Sequence, residues 1–120
     1  MTTCKKDTAK AWHYHKEQTD NFICISGKVM VVLCDLREDS STYKNTDKII
    51  VGAPSETTKP ILIQIPPMVA NGFTPVDCYK AIIMNVHNKA YNCKRPDEYR
   101  FPWNSVEIDF DWPKNINKGG

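Results

Sequence analysis

The apolar residues of this chain fall into short runs that turn-forming residues separate. The runs Phe22 to Ile25 and Val29 to Cys34 flank Gly27, and this pattern predicts two strands joined as a β-hairpin. Further strands are predicted in four short apolar segments: 11–14, 48–51, 61–65 and 78–86. The polar or turn-rich stretches 35–46 and 52–60 predict loops. With no 3.6-residue period of a long helix, the pattern predicts an all-β sandwich or barrel.

The C-terminal part of the chain, from Tyr91 onward, is rich in proline and tryptophan. Prolines at positions 96, 102 and 113 interrupt any regular pattern around Trp103 and Trp112. We expect an irregular tail that wraps over the sheet. Tyr91, Tyr99 and Trp103 fit two interpretations, packing against the sheet or stacking on a nucleobase.

The composition is that of a soluble globular domain. Of the 120 residues, 41% are hydrophobic and 25% charged, which predicts one domain spanning residues 1–120. The longest apolar run, Val29 to Cys34, is far shorter than the roughly 20 residues that cross a bilayer, and no secretory signal follows Met1. We expect a cytoplasmic protein with no membrane partner. Because the predicted strands are few and short, we also expect a homodimer.

Charge and cysteine content exclude two further classes of protein. The chain has 16 basic and 14 acidic residues, a net charge of +2, and its lysines are interspersed with acids. Nucleic-acid-binding domains usually carry a basic stripe, so we expect no nucleic-acid partner. The five cysteines are an odd number and form no Cys-x-x-Cys pair, which favours reduced thiols over a disulfide framework.

One segment combines two histidines with a nearby carboxylate. His13 and His15 share a face if both lie on a strand, and Asp20 follows after a short connection. Two imidazoles and one carboxylate form the facial set that binds non-haem iron and related metals. The pair also fits the solvent face of an edge strand. A divalent metal held by His13, His15 and Asp20 therefore remains one hypothesis.

The spacing of these residues resembles the first motif of the cupin superfamily, His-x-His, four residues, an acid, six residues and a glycine. His13, His15, Asp20 and Gly27 fit this spacing, with Asp in place of the usual Glu. The second cupin motif, Pro-x-Gly-x-x-His, is similar to the segment from Pro66 to Asn71. The resemblance implies a jelly-roll β-barrel or sandwich.

A longer resemblance points to the dTDP-4-dehydrorhamnose 3,5-epimerase family of nucleotide-sugar enzymes. The family's Arg-Gly-Leu-His-Tyr/Phe-Gln segment resembles Lys10 to His15, and its Gly-x-Val run ending in Asp-Leu-Arg resembles Gly27 to Arg37. Its Ile-Pro-x-Gly-Phe-Ala-His-Gly-Phe is similar to Ile65 to Phe73, and its Trp-Asn/Asp and Ile-x-Trp-Pro to segments of Trp103 to Pro113. The family's most N-terminal strands and its C-terminal acid find no match, so we expect a shortened, divergent member.

The resemblance implies proton abstraction next to a ketone, with His13 as the base. It places Lys10 where the family binds diphosphate through an arginine. Three family residues are replaced: the enolate-stabilising lysine by Asp20, a histidine by Asn71 and a tyrosine acid by Met84. A metal at Asp20 would supply the cation that the missing lysine supplies elsewhere.

Four residues are predicted to bind substrate: Lys10, Trp12, His15 and Asn71. We expect Asn71 at the mouth of the barrel, as a weak ligand or as a hydrogen-bond donor to substrate. The large ring of Trp12 fits a cavity wall and a core position equally.

Three functions remain open at this point. The first is a sugar-nucleotide epimerase or isomerase of polysaccharide or deoxysugar biosynthesis, acting on a 4-keto-deoxy sugar nucleotide. The second is a cupin that binds a sugar or sugar nucleotide without catalysis, and the third is a metal-dependent cupin for another small molecule. They differ in what they predict: proton exchange, binding alone, or bound metal without nucleotide affinity.

Overall fold

The computed structural model describes residues 1–90 and 92–119, so Tyr91 lies outside the described residues. Every regular element in these ranges is a β-strand. No helix in them is long and apolar enough to cross a membrane. The strands are β1 (Thr2–Lys5), β2 (Thr8–Tyr14), β3 (Asp20–Ser26), β4 (Lys28–Asp35), β5 (Thr46–Gly52), β6 (Ile63–Ile65), β7 (Val69–Pro75), β8 (Lys80–Asn85), β9 (Tyr99–Arg100) and β10 (Lys118–Gly119).

The strands form two sheets that pack face to face. The smaller sheet has the order β1-β8-β3-β6, and the larger has the order β10-β2-β7-β4-β5 with β9 also paired to β2. Buried apolar side chains from both sheets meet between them, among them Phe22 and Ile83 from the smaller sheet and Val31 and Phe73 from the larger. The predicted all-β, cupin-type jelly-roll sandwich is confirmed.

Strand β4 is apolar at nearly every position because both of its faces are covered. Val29 and Val31 pack into the core between the sheets, whereas Met30 and Val32 belong to a second core on the outer face of the larger sheet. A strand buried on both sides has a continuous apolar run in place of an alternating one.

The Pro- and Trp-rich tail provides the cover for that outer face. Phe101, Trp103, Phe110 and Trp112 pack against the second core, in which Ile108 is buried. Within the part of the tail that the structure describes, the larger sheet gains two strands of two residues each, β9 and β10. The expected irregular wrap over the sheet is confirmed.

The predicted hairpin at Gly27 is wrong. β3 pairs with β6 and β8 in one sheet, and β4 pairs with β5 and β7 in the other. The turn therefore carries the chain from one sheet to the other. Gly27 has a φ of 76°, and an added Cβ would lie 2.7 Å from the carbonyl oxygen of Lys80. Two apolar runs around a glycine fit a hairpin and a sheet-to-sheet turn equally, so the local pattern was not decisive.

Three strands that build the site were absent from the predicted set, and the two-residue β9 in the tail is one of them. β1 is four residues long with mostly exposed side chains, so it has no apolar run to reveal it. β7 contains Asn71, Gly72 and Thr74, which lower its apolar content, although six of its seven residues are buried.

The five cysteines are all free, as reduced thiols require.

Candidate active site between the sheets

A cavity of about 270 Å³ lies between the two sheets, with walls from both of them. Its apolar side is formed by Phe22, Phe73 and Ile83, and the first two rings pack edge to face with centroids 6.0 Å apart. The other side chains that line it are polar or charged: Thr2, Lys10, His13, Asp20, Asn71, Asn85, Glu98 and Arg100. The cavity thus combines an apolar wall with convergent polar groups, as small-molecule sites do.

A bulge in β2 brings Lys10 and His13 to the same cavity. Ala11 pairs with Gly72 and His13 with Asn71, so the register shifts at Trp12 between two consecutive partners on β7. On a regular strand, residues three apart point to opposite faces. The extra residue restores the phase, and Lys10 and His13 both face inward while Trp12 faces outward.

The imidazole of His13 is held in its neutral form near pH 7. Burial, followed by the positive charge of Arg100, lowers the pKa of His13 below its usual 6.5, and Glu98 opposes this shift. The Nδ1 atom of His13 lies 3.6 Å from Oε1 of Glu98. This carboxylate favours a proton on Nδ1, which leaves the lone pair on Nε2 free to accept a proton.

Two cations line the same cavity. Lys10 lies on β2, and Arg100 lies on β9 directly opposite His13 in the antiparallel register. Opposed residues on antiparallel strands project their side chains to the same face. Within the described ranges, neither the Lys10 nor the Arg100 side chain forms an ion pair or a hydrogen bond with the protein. Both charges are available to an anionic ligand.

His15 is separated from His13 and, itself partly exposed, forms an ion pair with the buried Asp20. Its Nε2 atom lies 3.1 Å from Oδ2 of Asp20, and its Nδ1 atom contacts the carbonyl oxygen of Asp97. The hydrogen bond to Asp20 raises the pKa of His15 to about 9 against the effect of burial. His15 is therefore an imidazolium with both N–H groups donated to the protein.

Asp20 is a satisfied carboxylate at the base of the cavity. Gln18 donates to its Oδ1 at 2.6 Å and Asn85 at 2.9 Å, in addition to the contact with His15. Burial raises the pKa of Asp20, but these hydrogen bonds outweigh burial and leave the pKa below its usual 3.8. Its negative charge is balanced by His15 and is not free to act on a ligand.

The hypothesis of a facial metal set does not fit this arrangement. Both ring nitrogens of His15 are occupied, and Asp20 accepts three hydrogen bonds. Within residues 1–90 and 92–119, no group of three His, Cys, Asp or Glu side chains is placed to hold a metal ion. The structure uses His15 and Asp20 as a pair and leaves His13 apart.

The other predicted substrate-binding residues divide between the cavity and the core. Asn71 lines the cavity, and its amide donates to the carbonyl oxygen of His13 at 3.1 Å. Trp12 does not line it: its side chain is fully buried on the opposite face, packed against Phe110 and Trp112. The core interpretation of Trp12 is the one that the structure supports.

A wider groove of about 790 Å³ adjoins the cavity and shares Asn85 and Glu98 with it. Its walls come from the loop after β2, from residues 85–90 at and after the end of β8, and from residues 92–99 of the tail. The Nζ atom of Lys16 lies over the ring of Tyr99, 4.5 Å from its centroid. The groove gives the small cavity a broad, polar entrance.

Sequence reasoning missed Glu98 and Arg100 as site residues. Both lie in the irregular tail, and only the pairing of β9 with β2 brings them beside His13. A usable signal was present, since Glu98 and Arg100 are alternate residues and share one face of any extended segment.

A two-sheet jelly roll with a neutral histidine in the cavity between its sheets is a cupin-type fold with a candidate ligand site. The model of the family dTDP-4-dehydrorhamnose 3,5-epimerase matches residues 1–118. The chain therefore belongs to this family.

Two relatives match most of this chain. The spore coat polysaccharide biosynthesis protein SpsL of Bacillus subtilis is 39% identical over 103 residues, covering 86% of this chain and 66% of SpsL. The probable low-salt glycan biosynthesis epimerase Agl13 of Haloferax volcanii is 32% identical over 109 residues, covering 90% of this chain and 67% of Agl13. The chain spans about two thirds of the length of these relatives.

Solved structures confirm the fold. The dTDP sugar isomerase of Desulfovibrio desulfuricans superimposes with a TM-score of 0.82 at 28% identity, covering 92% of this chain and 68% of that one. The 4-keto-6-deoxy sugar epimerase NovW of Streptomyces spheroides superimposes with a TM-score of 0.83, covering 99% of this chain and 58% of NovW. At 17% identity the second similarity shows the fold alone.

Proposed function

We propose that this chain is an epimerase domain that acts on a 4-keto sugar nucleotide in the synthesis of a polysaccharide or a deoxysugar. The observation that carries the proposal is His13, a neutral imidazole in a cavity of about 270 Å³ beside two uncommitted cations. Family membership and the biosynthetic relatives SpsL and Agl13 support the substrate class.

The geometry suits removal of a proton from a carbon next to a ketone. Nε2 of His13 accepts the proton, and Glu98 beside Nδ1 stabilises the imidazolium that results. Addition of a proton from solvent to the opposite face of the carbon inverts its configuration, and His13 gives up its proton to solvent. In this proposal the cavity takes the sugar and the adjoining groove takes the nucleotide. Lys10, which lines the cavity, holds the diphosphate, as the family resemblance implies.

The test is hydrogen exchange in heavy water with a dTDP-4-keto-6-deoxy sugar, followed by NMR of the ring protons. We expect deuterium at carbon 3 or carbon 5 with the full chain. Substitution His13→Ala should slow the exchange about 100-fold or more, because it removes the base. Affinity for dTDP, measured by calorimetry, should persist in the variant and shows that it is folded.

Two results would contradict the proposal. Exchange that His13→Ala leaves unchanged would assign the base to another residue. Binding of the sugar nucleotide without any exchange in the wild type would favour the second function, a cupin that binds sugar nucleotides without catalysis.

We also propose that a second copy of the chain covers the outer face of the smaller sheet. Ile23 and Ile25 alternate on β3 with buried residues, and they lie beside Ile82 and Met84 of β8. Ile23 and Met84 are directly paired. An apolar strip of this kind on the solvent side of a sheet marks an interaction surface.

Light scattering after gel filtration tests this homodimer. We expect a dimer for the wild type and a monomer for Ile23→Lys, because a charge in the strip would be buried without a partner. The matched control is Ile50→Lys, at a 57% exposed isoleucine on β5 of the other sheet. A monomeric wild type would contradict the dimer.

A further inference from the structure

The reaction proposed above creates a negative charge that the cavity must stabilise. Removal of a proton next to a ketone leaves the C–H electron pair on carbon. That pair forms a carbon–carbon double bond, and the carbonyl π electrons move to the oxygen as an enolate. A proton from solvent then adds to the opposite face of the carbon as the C=O bond re-forms, and His13 releases the proton that it accepted to solvent, so that no further reactant is consumed. A cation near the oxygen lowers the barrier for this step.

Asp20 cannot supply this cation, although the resemblance places it where the family has a lysine. Its carboxylate is paired with His15, whose two N–H groups are already donated to Asp20 and Asp97. The His15–Asp20 pair is neutral overall. Among the cavity-lining residues, permanent positive charge is carried by Lys10 and Arg100.

We propose that Arg100 is the catalytic residue that binds the ketone oxygen and stabilises the enolate. Arg100 is opposite His13 in the β2–β9 register, so its guanidinium and the base approach a bound sugar from adjacent strands. Its planar N–H groups suit an oxyanion, and within the described ranges no carboxylate pairs with it. This role rests on the proposed epimerase function.

The tail segment that carries Arg100 is fixed firmly enough for this task. The backbone groups of Trp12 and Phe101 exchange two hydrogen bonds, of 2.8 and 3.0 Å. The ring of Tyr14 stacks on Tyr99 and on Phe101, with centroid distances of 5.3 and 5.6 Å. These contacts hold β9 against β2 on both sides of Arg100.

Lys10 is assigned a different task by its position. It lies three residues before His13, across the bulge and opposite Phe73 on β7. The resemblance places it at the diphosphate. Substitution of Lys10 should therefore weaken nucleotide binding, whereas substitution of Arg100 should slow the chemical step.

The experiment compares Arg100→Gln, Arg100→Lys and Lys48→Gln in the heavy-water exchange assay. We expect Arg100→Gln to slow exchange about 100-fold while dTDP affinity changes less than threefold. Arg100→Lys should recover part of the rate because it retains the charge. Lys48→Gln, on the exposed edge strand β5, is the control for loss of a surface charge and should exchange at the wild-type rate.

A second readout is the pKa of His13, followed by NMR. Removal of the guanidinium should raise this pKa, since Arg100 is the charged group that lowers it most. A raised pKa would confirm that the Arg100 charge lies beside the base, and the exchange rates then decide whether that charge stabilises the enolate.

The outcomes separate this inference from the proposed function. Absence of exchange in the wild type refutes the epimerase, and Arg100 then has no enolate to stabilise. Exchange in the wild type with an unchanged rate in Arg100→Gln overturns the role of Arg100 alone. Loss of dTDP binding together with exchange also overturns it, because Arg100 would then be a diphosphate ligand. Equal exchange rates in Arg100→Gln and Arg100→Lys would show that a positive charge at this position does not stabilise the enolate.

Discussion

At the scale of single residues, two neighbours on β2 face opposite sides of the sheet and have different roles. His13 faces the cavity and is kept neutral by burial and by Arg100, whereas Trp12 faces the second core with no exposed surface. The indole of Trp12 lies 5.3 Å from the ring of Trp112 and 6.1 Å from that of Phe110, between centroids. Its Nε1 atom has no hydrogen-bond partner within the described residues. Packing against other aromatic rings, rather than a polar contact, explains why a tryptophan occupies position 12.

Substitution of Trp12 should therefore reduce stability without altering the site. We expect Trp12→Ala to lower the free energy of unfolding by about 3–5 kcal/mol because it leaves a large cavity. Trp12→Phe should lower it less, since the ring is partly retained and an unsatisfied N–H group is removed. Urea denaturation measures both changes. Loss of dTDP affinity in a stable Trp12→Phe variant would indicate instead that Trp12 contributes to the wall of the cavity.

The pH dependence of the exchange rate is a second property of one residue. His13 accepts a proton only when neutral, and its pKa lies below 6.5. The rate should thus be flat above about pH 6.5 and fall at more acidic pH, as His13 becomes protonated. Initial exchange rates between pH 4.5 and 8 measure this. A rate that is still rising above pH 7 would indicate a base with a higher pKa.

At the scale of elements, the close approach of β2 and β7 decides where the base lies. An added Cβ at Gly72 would lie 2.4 Å from Cβ of Ala11 and 3.1 Å from the Trp112 ring. No side chain larger than hydrogen fits between these strands. Glycine at this position lets β7 pair closely with the bulged segment that carries Lys10 and His13.

Gly72→Ala should consequently affect stability and activity together. β2 has to move away from β7, and we expect a loss of about 1–3 kcal/mol in the free energy of unfolding. The exchange rate should fall as well, because His13 moves with the strand. Gly52→Ala is the control, since its Cβ would meet nothing closer than 3.7 Å. Equal stability and equal exchange rates in Gly72→Ala and Gly52→Ala would mean that the contact between β2 and β7 has room for an added methyl group.

Strands with their own apolar run were predictable from the sequence, and strands without one were not. β4 and β8 fall where the pattern placed them, because burial requires apolar side chains there. The exposed β1 and the partly polar β7 owe their strand structure to pairing with distant partners. The bulge at Trp12 has the same origin, and it places Lys10 and His13 on one face, which simple alternation cannot express. His15 is separated from His13 because β2 ends at Tyr14.

At the scale of the whole molecule, the site is assembled from segments far apart in the chain. His13 and Lys10 were identifiable because a motif surrounds them, whereas Arg100 is brought to the cavity by a two-residue strand in the tail. Local sequence does not encode that long-range pairing. The suggestion of a metal set at His13, His15 and Asp20 has a similar cause, because histidine and aspartate are the residue types of a metal site and of an ion pair alike. The structure pairs His15 with Asp20.

The same ion pair joins three parts of the molecule and should make its stability depend on pH. His15 follows β2 of the larger sheet, Asp20 begins β3 of the smaller sheet, and Asp97 belongs to the tail. The Asp97 carboxylate also accepts hydrogen bonds from the backbone N–H groups of residues 16, 17 and 18, at 2.8, 2.9 and 2.9 Å. Protonated His15 holds these parts together.

The pKa of His15 is about 9 in the folded chain, against 6.5 in an unperturbed histidine. Its stabilising effect is thus fully present below pH 6.5 and is lost as the pH rises through 9; the difference corresponds to about 3 kcal/mol. Asp20 limits the stability at acidic pH. Because its pKa is lowered in the folded chain, its contribution to the free energy of unfolding is lost as the pH falls below about 4. Free energies of unfolding measured from pH 6 to 10 should decline in the wild type and decline much less in His15→Gln. Parallel pH profiles would show that His15 is not the group that links the two sheets to the tail.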